Sequence, residues 1–238
     1  NEVCSSNGGV VIANNESHDW VELYNGNEKD INLRNYGLSD KENEIKWVFP
    51  EVIIKAKSYL VVYLSGENSK GLFANFSLSS GGGETLSLRK PNGKIIDAFE
   101  TRKIDKNYSF IRDEDGTWSK TNKPTPGFEN SLKGYNKFQE SLASTSNELV
   151  ISEVLPVNKG NFIDEYGFLS SYIEVTNVSD KSINLKNYYL SDEESVPFKW
   201  NMPEKVLSKN DSIVIFTGSD VDDENYADFK LDSKNGYA

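Results

Sequence analysis

The chain has a single cysteine, Cys4, a single histidine, His18, and a single methionine in 238 residues. One cysteine excludes an intrachain disulfide, a cysteine-based zinc site and a redox pair. Cys4 is therefore expected to serve as a small apolar residue on a strand. Basic charge is also scarce: 26 Lys and Arg against 37 Asp and Glu leave a net charge of −11. Such a surface repels a phosphate backbone, and no stretch interleaves Lys or Arg with aromatics, so nucleic acid is not expected as a partner. No apolar run approaches the roughly 18 residues of a membrane-spanning helix, and no long segment keeps a helical period. No leader segment is visible either. Asn1-Glu2-Val3 matches Ser152-Glu153-Val154 in mid-strand, however, so this absence carries no information.

Aromatic residues are plentiful, with 12 Tyr, 12 Phe and 4 Trp, and short apolar runs are punctuated by Asn, Ser and Gly. That pattern favours an all-β class. The organising feature is a repeat. Trp20-Val-Glu-Leu-Tyr-Asn25 and Ile31-Asn-Leu-Arg-Asn-Tyr-Gly-Leu-Ser-Asp40 return as Tyr172-Ile-Glu-Val-Thr-Asn177 and Ile183-Asn-Leu-Lys-Asn-Tyr-Tyr-Leu-Ser-Asp192. Lys46-Trp47, Pro50, Gly66 and Ala74–Leu78 recur as Lys199-Trp200, Pro203, Gly218 and Ala227–Leu231. An offset of about 152 positions means two tandem domains rather than a solenoid. The expected organisation is a first domain over residues 1–130, a linker with a short helix over 131–147 and a second domain over 148–238.

Within that frame, residues 1–7 read as an edge strand, and Tyr59–Leu64 reads as a central strand buried on both sides. Pro124-Thr-Pro-Gly127 closes the first domain. Tyr135, Phe138, Gln139 and Leu142 fall at helical spacing, which predicts a helix lying with its apolar stripe on a domain. Residues 143–147 complete the linker.

Residues with chemical potential are few. His18 beside Asp19 has no visible partner and reads as the end of a loop. Glu22 and Glu174 occupy one register of the repeat. Without a second titrating group they read as hydrogen-bond acceptors for backbone amides or a Tyr hydroxyl at the sheet rim. Gly81-Gly-Gly83 lacks the Lys-Ser/Thr and helix of a phosphate loop and reads as a hairpin turn. Asp113, Asp115 and Gly116 resemble part of a calcium loop whose other ligands are missing, so a plain turn is expected. Asp220, Asp222, Asp223 and Glu224 concentrate four carboxylates in one loop; they are the calcium candidates, against the alternative of a solvated acidic loop. The loop from Lys159 to Ser171 is longer than its counterpart and carries an aromatic cluster of Phe162, Tyr166 and Phe168. No nucleophile, base and acid converge, so no catalytic residues are assigned.

Several motifs in order resemble a lamin-tail domain: Trp20–Asn25, the Leu-Arg-Asn-Tyr-Gly-Leu-Ser-Asp corner, Trp47 to Pro50, Phe76-Ser-Leu-Ser-Ser-Gly-Gly, Gly93-Lys-Ile-Ile-Asp97 and Pro124–Asn130. Residues 148–238 resemble a second such domain. The resemblance implies two immunoglobulin-like β-sandwiches without catalytic residues of their own. Similar bacterial domains occur in extracellular or cell-surface proteins, often beside hydrolase, nuclease or spore-coat kinase-like modules. A binding, adhesion or scaffolding module without cofactor is the function implied, with a protein or cell-surface glycan as partner. The alternatives are an accessory region of a larger enzyme and a plain spacer. The first domain continues for 47 residues after Gly83, the second for two after Gly236. Its closing strands are thus expected either from further chain or from a partner by strand addition.

Overall fold

The computed structural model describes residues 1–142, 147–160 and 162–232. The chain divides into two compact units at Leu142/Ala143. The expected linker at 131–147 thus splits: residues 131–142 belong to the first unit, and residues 143–146 lie outside the described ones.

The first unit comprises β1 (Glu2–Cys4), β2 (Asp19–Tyr24), β3 (Ile31–Asn32), β4 (Gly37–Ser39), β5 (Trp47–Val48), β6 (Ile53–Ile54), β7 (Tyr59–Leu64), β8 (Phe73–Ala74), β9 (Gly82–Arg89), β10 (Ile95–Arg102), β11 (Ser109–Arg112), β12 (Trp118–Thr121) and α1 (Leu132–Leu142). A six-stranded sheet in the order β12-β11-β1-β2-β7-β8 faces a four-stranded sheet in the order β10-β9-β4-β5. Alternation along β2 turns Val21 into the space between them, where Val3, Leu38, Phe49, Val62, Leu86, Phe99 and Phe110 form the core. The expected sandwich is what the residues build.

Two expectations about strands are corrected. Glu2–Cys4 is an interior strand, not an edge, because Ser109–Arg112 returns from far along the chain to pair with its free side. Tyr59–Leu64 is not buried on both sides, since Tyr59, Leu60, Val61 and Tyr63 stay half-exposed beside the two-residue parallel strand β8. The glycine run is also not a hairpin: Ser79–Gly82 forms a turn that carries the chain from one sheet to the other. Gly82, at φ +75, lets the backbone of β10 approach, because a Cβ there would stand 2.6 Å from Arg102 backbone atoms. The hairpin at Lys90–Gly93 joins β9 and β10 as its sequence predicts.

Beyond the first sandwich the chain forms α1. It sets Phe138 and Leu142 on the outer face of the six-stranded sheet, against Cys4, Val10, Val11, Trp20 and Phe128. The helical spacing of those side chains supplied the prediction of a docked helix, and the sheet's outward Trp20 supplies the surface. Gly134 fits under the preceding chain: a Cβ there would lie 1.8 Å from the Glu129 carbonyl oxygen.

The second unit repeats the framework with β13 (Leu149–Leu155), β14 (Ser171–Asn177), β15 (Ile183–Asn184), β16 (Tyr189–Leu190), β17 (Trp200–Asn201), β18 (Val206–Leu207), β19 (Ser212–Thr217) and β20 (Tyr226–Ala227). Its main sheet runs β13-β14-β19-β20, the counterpart of β1-β2-β7-β8. The same side chains brace both corners. Asn25 donates to the carbonyls of Lys29, Ile54 and Lys55, and Asn177 to those of Lys181, Leu207 and Ser208. Lys46 pairs with Asp40 and covers the Phe76 ring; Lys199 pairs with Asp192 and covers the Phe229 ring.

Replacing Gly134 by Ala is expected to lift α1 from the sheet and destabilise the first unit by about 2 kcal/mol, the usual cost of overpacking a tight contact. Urea denaturation of the variant checks this.

Candidate functional site

Glu22 emerges from β2 on the face opposite the core, and Glu2 stands directly across from it on β1. Both are fully buried, and the turn after β12 reaches them through Thr125 and Gly127. Glu2 accepts the Ser109 hydroxyl at 2.5 Å and the Thr125 amide and hydroxyl at 3.1 and 3.0 Å. Glu22 accepts the Gly127 amide at 2.5 Å and the Asn1 side-chain amide at 2.7 Å. Asn130 joins the cluster by donating to the carbonyls of Asn1 and Arg112. The expected role of Glu22 as an acceptor for backbone amides holds, although it lies in the middle of the sheet and not at its rim.

Burial pushes the Glu2 carboxyl up to about 7 from an ordinary 4.5, against the opposing hydrogen bonds from Ser109 and Thr125. It pushes Glu22 up to about 8, with the Glu2 charge adding to the effect. The hydroxyls of Ser109 and Thr125 can rotate to accept a carboxyl proton. The cluster is chemically closed. Its two carboxyls are sealed from solvent, its donors come from the chain itself, and it locks the turn at 124–127 onto the sheet.

The other candidates are dispersed. His18 lies half-buried with its ring edge-on to Phe73 at 5.8 Å and Nε2 3.6 Å from Glu16, while Asp19 accepts the Leu78 amide. They act separately. Asp113 and Asp115 take the Thr117 and Ser119 hydroxyls inside a plain turn between β11 and β12. In the acidic loop, Asp223 accepts the Tyr166 hydroxyl at 3.0 Å and the Asn225 amide, Glu224 pairs with Lys205, and Asp220 lines a cleft. Asp222 is not brought to them as a ligand set: among the described residues no group of three or more His, Cys, Asp or Glu is placed to hold a metal ion.

What the structure assembles instead is the end of the second unit around the loop before β14. Asn158 ties this loop to the Phe162 and Ser170 carbonyls, as Asn7 ties the shorter first-unit loop to those of Val11 and His18. Buried Asp164 accepts the Tyr166 and Phe168 amides and the Ser170 hydroxyl, which fixes the tip. The braced tip holds Phe162, Ile163, Tyr166, Phe168 and Leu169 in solvent, between 48 and 63% exposed. In the first unit the corresponding Val10 and Val11 are buried under α1. Behind the tip, Phe162 stacks on Phe216, and Phe216 stacks on Tyr226 at 4.9 Å. Next to it opens a cleft of about 670 Å³ lined by Val157, Phe168, Leu169, Asp220, Val221 and Lys230, among others. The sequence showed the aromatic cluster; Asp164 as the residue that fixes its presentation was missed, and its spacing before Gly167 was the available signal.

The Lamin Tail Domain family profile matches residues 4–103 and 143–237. The chain belongs to the lamin tail domain family. Each matched segment falls within one of the two units, so this chain carries the lamin-tail domain in tandem. Neither the comparison with curated proteins nor that with solved structures finds a match.

The raised carboxyls give the first lamin-tail unit a defined pH response. The folded unit keeps protons that the unfolded chain releases above about pH 4.5, so this stability is fully present below that pH and is lost as pH rises through 7 to 8. Glu22→Gln is expected to flatten the slope, as denaturant midpoints measured across that range will show.

Proposed function

We propose that this tandem lamin-tail chain is a non-catalytic binding or scaffolding module of a bacterial extracellular or cell-surface protein, and that its recognition surface is the braced aromatic loop of the second unit. The observation that carries this reading is the contrast between two copies of one framework. In the first, the loop's apolar residues are covered; in the second, five large side chains stand in solvent on a loop fixed by Asn158 and Asp164. Rigid exposed aromatics supply contact area at low entropic cost, and a contiguous apolar patch of this kind is the usual mark of an interaction site. The adjoining cleft adds Asp220 and Lys230 as polar groups that can fix orientation. Among the described residues, the closely paired buried carboxyls Glu2 and Glu22 are occupied by the chain's own donors, which supports a role without chemistry.

The partner class is a surface protein or a glycan. An array of cell-surface glycans and surface proteins probed with the full chain tests this. Binding is expected, with Tyr166→Ala and Phe168→Ala each weakening it at least tenfold; unchanged binding by both variants overturns the assignment of the loop. No metal belongs to this reading. Calorimetric titration with calcium is expected to give a flat trace, and a saturable isotherm abolished by Asp223→Asn reverses it.

A further inference from the structure

The two units present the same strand pair to different surroundings. In the first, Glu2 faces Glu22 and Val3 faces Val21; in the second, Glu153 faces Glu174 and Val154 faces Ile173. The outer side of β1 is taken by β11, with Glu2 opposite Ile111 and Val3 opposite Phe110. Among the described residues, no strand pairs with the outer side of β13. The consequences are local and measurable. Val3 is buried, while Val150, Ile151 and Val154 are 38 to 42% exposed. The carboxylates also differ in their donors. Where Ser109, Thr125 and Gly127 reach Glu2 and Glu22, the second pair is served from its own two strands: Tyr172 donates to Glu153 at 2.6 Å and Ser152 to Glu174 at 2.5 Å. Both bonds are exposed to solvent, and an incoming donor can replace them.

We infer that the outer edge of β13, together with Glu153 and Glu174, is an acceptor for an added strand and turn with the chemistry of Ser109–Gly127. The occupant is a polypeptide segment, not a small molecule or a second copy of β13. Its strand brings unpaired backbone groups to β13, apolar residues over Ile151 and Val154, which share the core face through their partners Val175 and Ile173, and a hydroxyl beside Glu153. Its turn brings a hydroxyl and two amides to the carboxylate pair. The first unit is the template for each contact, and strand addition of this kind draws affinity from the main chain and register from the alternating side chains. A segment rich in Asp or Glu is excluded by like charge against the two carboxylates. This surface is separate from the aromatic loop, so it stands or falls independently of the proposed recognition site.

The test uses the full chain and a labelled synthetic peptide with the sequence of residues 107–130. Saturable binding is expected, with new hydrogen-exchange protection along Leu149–Leu155. Removing the peptide's hydroxyls at the positions of Ser109 and Thr125, or introducing Glu153→Ala with Glu174→Ala in the chain, is expected to weaken binding at least tenfold. Glu174→Gln provides an isosteric variant should the double substitution fail to fold. Tyr166→Ala is expected to leave peptide binding unchanged. Absence of binding, protection confined to β1, equal binding of a scrambled peptide, or self-association through β13 that excludes the peptide would each overturn the inference.

Discussion

Two carboxyl groups taken out of water on the outer face of a sheet hold the first unit's last segment in place. Glu2 and Glu22 are cross-strand neighbours, and burying them together is unfavourable unless donors surround them. Those donors arrive from more than a hundred residues away, at Ser109, Thr125 and Gly127. The carboxylates therefore dictate where the chain goes after β12. The turn at 124–127 must pass over the sheet, and α1 must follow it onto the apolar ground around Trp20. Each step depends on the previous one, so a hydrogen-bonding constraint decides the placement of a helix whose own sequence specifies only its stripe.

The second unit shows what the shared framework does without that cover. Its corner asparagine, its lysine–aspartate pair and its loop asparagine are all kept, and each makes the same bonds as its counterpart. These contacts lie within short stretches of chain and close on themselves. What differs lies above the sheet. An aromatic tip fixed by Asp164 stands where Val10 and Val11 are covered in the first unit, and the edge strand β13 keeps its apolar side chains half in solvent. Among the described residues the first unit's carboxyls and loop valines are covered and their second-unit counterparts are at least partly exposed, and that asymmetry underlies the functional reading.

Much of the architecture was legible in the residues. Alternation in Trp20–Tyr24, the corner around Tyr36 and Leu38, the Pro-Asn-Gly hairpin and the helical spacing of Tyr135, Phe138 and Leu142 are local signals, and local signals survive in a linear reading. The misreadings share a cause. Glu2–Cys4 looked like an edge because its partner, Ser109–Arg112, is remote in sequence; Tyr59–Leu64 is central as expected but looked buried on both sides because β-prone residues do not reveal how short a neighbouring strand will be. In the acidic loop, spacing left calcium candidates beside the solvated alternative, and only the fold shows Asp223 taking the Tyr166 hydroxyl and Glu224 pairing with Lys205.

By itself the sequence determined the tandem repeat, the all-β class, the family and, with one cysteine, the exclusion of an intrachain disulfide, because composition and short-range periodicity are properties of the chain before it folds. Tertiary structure alone decided that the glutamates of one unit are sealed while those of the other lie at an open edge, and that the aromatic loop is held outward. Burial and hydrogen-bond completion depend on which distant segments arrive. No residue carries that information in its own neighbourhood.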